Sequence, residues 1–256
     1  MRRTPLRAAG AGVAAIGIIF GVAACGSSGT SSSTGSGSAA APTVLAAASL
    51  SKVFPKIDAA PHYSFGGSGA LATQIEQGAP ADVFAAASAK QPAALLAKGL
   101  IGAPVKFATN RLVLVVPKGN PAHITTISDI TKPGVKLVIC AASVPCGDYA
   151  RSVFTNLGIT SAAMRNVVSE ASDVTQVVAQ VALGQADAGF VYVTDADAAT
   201  GRLTVISLPA DAKPATADYI AVVKAGAHQP GAAAFVQEVM SARGQAILRA
   251  AGFGAP

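Results

Sequence analysis

Four short polar segments interrupt an otherwise apolar sequence, and each stands where a helix would begin. They are Ala47-Ala48-Ser49-Leu50, Gly66-Gly67-Ser68-Gly69, Val144-Pro145-Cys146-Gly147 and Ser172-Asp173-Val174. The first turn of a helix leaves backbone N–H groups without intrahelical partners, and the helix dipole adds partial positive charge there. Several such turns aimed at one cleft would hold an anion with no lysine or arginine in contact. Taken singly, each segment reads as an ordinary N-cap, and pattern alone does not show that the four converge.

Other residues could do different chemistry. Cys140 and Cys146 are six apart. In an oxidising compartment such a pair is a candidate disulfide, with two free thiols as the alternative. His62, His123 and His228 are far apart, and none has ligand spacing to a cysteine, so a zinc site is not indicated. Gly66-Gly67-Ser68-Gly69-Ala70 approaches the nucleophile elbow of a serine hydrolase, with Asp195 and His228 following in the right order. Its final glycine is replaced by Ala70, and no oxyanion-loop motif accompanies it. Gly67-Ser68-Gly69-Ala70-Leu71-Ala72 approaches a dinucleotide fingerprint, but beyond Glu76 the next acid, Asp82, comes too early for a ribose contact.

The elements that must position these residues alternate along the chain. Strands are predicted at 43–47, 63–65, 83–86, 111–116, 136–140, 188–192, 203–207 and 219–223. Helices are predicted from Ser49, interrupted by Pro55, and at 70–77, 89–98, 149–157, 174–183, 231–240 and 242–251. Strands separated by helices of about ten residues indicate an α/β fold with mainly parallel sheets. In such folds ligands bind at the carboxyl ends of strands, where helices begin. The polar segments stand at those positions.

Composition bounds the function. The chain has 256 residues, 51% hydrophobic and only 12% charged, which excludes a disordered chain. Its lysines and arginines are scattered singly, so no nucleic-acid partner is expected. Arg2, Arg3 and Arg7 precede an apolar run over 8–24 that ends in Val22-Ala23-Ala24-Cys25. Residues 1–24 read as a secretory signal, because the run falls short of the roughly 20 residues of a membrane span. A short transmembrane helix and a twin-arginine signal are the alternatives. Much of the formal +6 charge lies in this leader. Residues 25–42, rich in Gly, Ser, Thr and Ala, read as a flexible tether.

The small residues before Cys25 resemble a bacterial lipobox, which implies lipidation of Cys25. The body resembles the molybdate-binding proteins of bacterial ABC transporters. The resemblance rests on Ala47-Ala48-Ser49-Leu50, on Ser68-Gly69-Ala70-Leu71-Ala72-Thr73-Gln74-Ile75 and on Gly78-Ala79-Pro80-Ala81-Asp82-Val83-Phe84. It continues in Asn110-Arg111-Leu112-Val113-Leu114-Val115-Val116-Pro117-Lys118, Val144-Pro145-Cys146-Gly147-Asp148-Tyr149-Ala150 and Gly189-Phe190-Val191-Tyr192-Val193-Thr194-Asp195-Ala196. The run of motifs covers residues 43–256.

The resemblance implies a two-lobed α/β periplasmic-binding-protein fold of the class II type, with two crossing hinge strands. On that pattern the crossings fall near 117–122 and 218–222. Lobe one would be 43–118 plus 220–256, and lobe two 119–219. It implies a ligand set: the hydroxyls and N–H groups of Ser49 and Ser68, the backbone N–H of Cys146 and Val174, and the phenol of Tyr192. The ligand would be molybdate or tungstate, with no cofactor, no metal cation and no catalytic residue. Partners would be the permease and ATPase of the transporter, with a monomeric protein tethered at the outer face of the cytoplasmic membrane. Three departures from the family pattern stand out. Gly67 and Gly69 flank Ser68 where serines are common, Cys146 replaces an alanine, and the stretch from Ser49 to Ser68 is short and carries Pro55 and Pro61. A receptor for sulfate or another tetrahedral oxyanion is the nearest alternative. A serine hydrolase or a purely structural lipoprotein lies further off.

Overall fold

The structure, a computed structural model, describes residues 41–256 other than 213 and 215. The expected leader, Cys25 and all but the last two residues of the expected tether lie outside the described residues.

Two five-stranded sheets organise the described chain. The first contains β1 (Thr43–Ala47), β2 (His62–Gly66), β3 (Val83–Ala86), β4 (Val105–Asn110) and β10 (Thr216–Val222), in the order β2-β1-β3-β10-β4. The second contains β5 (Leu112–Pro117), β6 (Leu137–Cys140), β7 (Val167–Ala171), β8 (Ala188–Tyr192) and β9 (Leu203–Ile206), in the order β7-β6-β8-β5-β9. The two follow one plan. β1 runs parallel to β2 and β3, and β6 runs parallel to β7 and β8. An antiparallel strand then follows in each, β10 beside β3 and β5 beside β8.

Local sequence explains the placement of strands. β3, β5, β6 and β8 are apolar runs buried along their whole length, as strands covered on both faces must be. The edge strands β2, β7 and β9 carry the polar, exposed positions. Helices α2 (Ser68–Glu76), α3 (Lys90–Ala97), α4 (Pro145–Asn156) and α6 (Val174–Ala182) cover the sheets. In α6, Asp173 caps the first turn by accepting the Gln176 N–H at 3.1 Å, while Val174, Val177 and Val181 form the buried stripe.

The chain crosses between sheets earlier than the sequence pattern implies. β4 closes the first sheet, Arg111 alone intervenes, and β5 already pairs with β8 and β9. Residues 112–117 therefore belong to the second lobe, not to lobe one. The return crossing lies between β9 and β10, so residues 216–219 belong to the first lobe and not to lobe two. The reason is burial: Leu112-Val113-Leu114-Val115-Val116 is apolar on both faces and needs a neighbour on each edge. Asn110 ties the first crossing, donating from Nδ2 to Thr194 Oγ1 at 3.0 Å and accepting the Arg111 N–H at 2.8 Å. Thr216 at the return crossing donates its hydroxyl to the Asn110 carbonyl.

The expected first helix is reduced to a 3-10 turn at Ala48–Leu50 and the four-residue α1 (Phe54–Ile57). Pro55 sits in the first turn of α1, where its missing N–H costs nothing. Phe54 holds this short helix in the core, with ring centroids 5.7 Å from Phe107 and 5.4 Å from Phe235. Strands β4 and β7 and helices α5 (Thr160–Arg165) and α7 (Val193–Ala198) escaped the sequence reading. α8 (Gln229–Met240) and α9 (Ala242–Ala250) complete the first lobe.

Candidate functional site

The carboxyl ends of the parallel strands of both sheets meet at one cavity. Ala47 ends β1, and Ala48 and Ser49 follow it; Gly66 ends β2, and Gly67 and Ser68 follow it; Ala87 follows β3. From the second lobe come Val144, Pro145 and Cys146 after β6, Asp173 and Val174 after β7, and Tyr192 at the end of β8. In both sheets the chain leaves the first strand in one direction and returns on the other side, and that reversal opens a crevice at the strand ends. The cavity is small, ≈ 10 Å³ for the centre of a water-sized sphere. No lysine or arginine lines it.

All five sequence-predicted contact residues line this cavity. Ser49 and Ser68 come from the first lobe, Cys146, Val174 and Tyr192 from the second. Ser49 Oγ and Tyr192 OH are buried and meet no hydrogen-bond partner among the described residues. Such orphaned polar atoms are rare in folded proteins, and two in one cavity wall mark a polar ligand. Ser68 is 1% exposed, and its Oγ accepts the Ala87 N–H at 3.2 Å. That bond occupies a lone pair and leaves the hydroxyl proton free to donate. The backbone N–H groups of Ser68, Cys146 and Val174 lie in the first turns of α2, α4 and α6, and among the described residues none donates to another backbone group. Burial, then the charges of Asp218, Tyr149 and Asp195, push the Tyr192 phenol well above its ordinary value, so it stays protonated. Hydroxyls and first-turn N–H groups thus surround one small space.

Asp173 is the one carboxylate in the wall, and its oxygens are engaged elsewhere. Oδ1 accepts from Thr175 Oγ1 at 2.5 Å and from the Gln176 N–H, and Oδ2 accepts from Ser172 Oγ at 3.3 Å.

Cys140 ends β6 and Cys146 is the second residue of α4; their sulfurs are bonded and their Cα atoms lie 5.7 Å apart. The bridge closes the loop 141–145, which also holds the Val144 N–H on the Ala141 carbonyl at 3.0 Å. Arg151 fastens the same turn by donating to the carbonyls of Cys140 and Gly147, each at 3.1 Å.

Sequence reading missed why Gly67 and Gly69 flank Ser68. Gly67 has φ −65° and ψ 130°, open to any residue, so its conformation does not demand glycine. A Cβ there would stand 2.4 Å from the Ser172 carbonyl oxygen, and one on Gly69 would stand 2.2 Å from that of Ser143. Both oxygens belong to the other lobe. The glycines let the lobes come together. Beside them Lys90 Nζ pairs with Asp148 at 3.3 Å, and Gln91 donates to the Ser143 carbonyl.

The serine hydrolase alternative has no geometry behind it. His228 is held by Asp82, with Nδ1 3.1 Å from Oδ2 and its N–H donating to Oδ1 at 2.7 Å. Asp195 accepts the Tyr192 N–H at 3.2 Å. Ser68 is hydrogen-bonded to neither.

Similarities to known proteins agree with this arrangement. The chain is 39% identical over 251 residues to the molybdate-binding protein ModA of Mycobacterium tuberculosis (strain ATCC 25618 / H37Rv), covering 93% of this chain and 95% of that protein. The periplasmic molybdate-binding protein of Azotobacter vinelandii superposes with a TM-score of 0.72 at 27% identity, covering 84% of this chain and 99% of that one. The sulfate-binding protein SubI of M. tuberculosis H37Rv shares the fold, with a TM-score of 0.70 at 19% identity over 83% of this chain and 86% of its own. Residues 34–254 match the family described as bacterial extracellular solute-binding protein. With that match spanning both sheets and every segment of the cavity wall, the chain belongs to the bacterial extracellular solute-binding proteins.

Proposed function

We propose that this protein captures molybdate, and with it tungstate, outside the cytoplasm and delivers it to the permease and ATPase of an ABC transporter. No cofactor and no covalent step are involved. The observation that carries this reading is the convergence of Ser49, Ser68, Cys146, Val174 and Tyr192 on one cavity in which two buried hydroxyls have no partner among the described residues.

A buried dianion loses its hydration, which costs many kcal/mol unless the protein replaces it. Hydrogen bonds to a charged acceptor contribute roughly 1.5–3 kcal/mol each, so several convergent donors offset the loss. The donors are hydroxyls and first-turn N–H groups, and the one carboxylate in the wall has its oxygens engaged. A protonated anion such as hydrogen phosphate would set its own O–H against another donor. Molybdate, tungstate and sulfate carry no proton at neutral pH. Sulfate shares their charge and shape, so its rejection rests on size. Lipidation of Cys25 would hold the monomer at the outer face of the cytoplasmic membrane, with residues 26–42 as tether.

Calorimetric titration with molybdate, tungstate, sulfate and phosphate tests the reading. Tight binding of the first two, weak binding of sulfate and none of phosphate is expected; equal affinity for sulfate and molybdate would reject the size argument. Cys25→Ala should abolish labelling of the protein by a fatty-acid analogue, and unchanged labelling would remove the anchor from the proposal.

A further inference from the structure

A third buried side-chain oxygen has no partner among the described residues, and it lies outside the cavity wall. Asp218 stands in β10, is 1% exposed, and its Oδ2 meets no donor. Its surroundings are acidic or phenolic. Asp195 on α7 raises its proton affinity, and its own charge acts on Tyr192 at the end of β8 and on Tyr149 of α4. Among the described residues no cation offsets it. On the neighbouring β4, Ala108 is its register partner, while Lys106 lies opposite Tyr219 and is exposed. Strand β3 carries no titratable residue. On α3, Lys90 is paired with Asp148 and Lys98 with Glu76, and on α8 Glu238 is paired with Arg243. An ionised carboxylate so placed is costly, and a proton removes the cost.

Resting on the reading that the cavity takes a dianion, we propose that Asp218 couples capture to pH: its carboxyl is neutral whenever the anion is held, and an ionised Asp218 takes up one proton from solvent as the anion enters. The balance is simple. An O–H bond forms at the Asp218 carboxylate, the proton comes from water or buffer, and no other bond changes.

The coupling follows from position. Asp218 directly precedes Tyr219, the register partner of Ala86 on β3, and the residue after Ala86, Ala87, lines the cavity; Tyr192, also in the wall, feels both Asp218 and Asp195. A dianion added there raises the proton affinity of Asp218 further, because little water screens charges in this interior and its Oδ2 has no donor among the described residues, whereas the Tyr192 N–H supports the ionised form of Asp195. Without the anion, burial and then Asp195 push Asp218 up to about 8. Asp195 is also raised, to about 7, by burial first and by Asp173, against the Tyr192 N–H that lowers it. Below about pH 8 Asp218 is already neutral and affinity does not depend on its proton. Above that value each capture needs a proton, so affinity falls by up to tenfold per pH unit.

The test is calorimetry with molybdate at pH 6.5 and pH 9, each in two buffers of unlike ionisation enthalpy. The expected result is buffer-independent heat at pH 6.5 and uptake approaching one proton per anion at pH 9. Asp218→Asn should bind at both pH values, lose the uptake and bind more tightly than wild type at pH 9. Absence of any binding at pH 6.5 would overturn the anion reading itself. Binding with buffer-independent heat at pH 9 would overturn the coupling alone. Uptake that persists in Asp218→Asn, and vanishes in Asp195→Asn, would move the proton to Asp195. Should Asp218→Asn not fold, a wild-type dissociation constant that stays flat from pH 6.5 to 9.5 refutes the proposal.

Discussion

Ser49 and Tyr192 carry buried hydroxyls that meet no hydrogen-bond partner among the described residues. Burying a polar group without a partner costs about 1–3 kcal/mol, which a ligand acceptor restores. Ser49→Ala and Tyr192→Phe should therefore weaken molybdate binding by about 10- to 100-fold each, since a charged hydrogen bond contributes roughly 1.5–3 kcal/mol. The melting temperature of the unliganded protein should hold or rise in both variants, because no internal bond is lost. A fall in unliganded melting temperature would mean that the hydroxyls have structural partners. Ser68 differs, because the Ala87 N–H already donates to its oxygen. Ser68→Ala should lower both affinity and unliganded stability, by orphaning that N–H.

At the scale of elements, two devices hold the donors in place. The Cys140–Cys146 bridge fixes the loop that aims the Cys146 N–H. Its ring is short, so its effect on global stability is small, and its benefit is a loop that loses less entropy on binding. The double substitution Cys140→Ala, Cys146→Ala should fold and bind molybdate with modestly reduced affinity, because the backbone donor remains. Complete loss of binding would assign the sulfur itself a role. The second device is the pair of glycines flanking Ser68. A Cβ at Gly67 or Gly69 would strike a carbonyl of the opposite lobe. Gly67→Ala should leave the unliganded melting temperature near wild type, weaken binding, and reduce the compaction seen by small-angle scattering on adding molybdate. Wild-type affinity in that variant would show that the lobes close along another path.

The described residues form two lobes joined at two crossings, with the residues that line the cavity divided between them. A ligand bridging the lobes stabilises the closed form, and the gain grows as RT ln(1 + [L]/Kd). Molybdate should therefore raise the melting temperature in proportion to the logarithm of its concentration. Acid and base act on the fold through different carboxyls. Burial opposes ionisation of Asp82, but the N–H groups of Thr43 and His228 and the His228 ring outweigh it and hold Asp82 below its ordinary value. Its contribution is present near neutrality and lost as pH falls through its folded value, so Asp82→Asn should lower the melting temperature at pH 7 and flatten the acid limb. Asp195 and Asp218 are raised, to about 7 and about 8. The folded state then holds more protons than the unfolded between about pH 4 and 8, so unliganded stability falls as pH rises through that window. Melting of wild type and Asp218→Asn at pH 6 and pH 9 checks the sign: the difference between the two pH values should shrink in the variant.

The polar segments at strand ends and the alternation of elements were legible in the sequence because each depends on local rules, whereas the five proposed contact residues came from the family resemblance. Apolar runs mark buried strands, and a small polar residue before a helix marks an N-terminus whatever surrounds it. The ordered motifs then set those segments within a family. Convergence was not legible, because it depends on how strands far apart in the chain order themselves within each sheet. The crossing at Arg111 was missed for the same reason: Leu112-Val113-Leu114-Val115-Val116 reads as a buried strand in either lobe, and only pairing with β8 and β9 assigns it to the second. Gly67 and Gly69 look like flexible turn residues until Ser172 and Ser143 stand opposite them. Asp218 looks like an ordinary strand acid until burial leaves its Oδ2 without a partner among the described residues. Chemistry that depends on residue type is written along the chain, whereas chemistry that depends on which groups are denied water is decided only when the lobes pack.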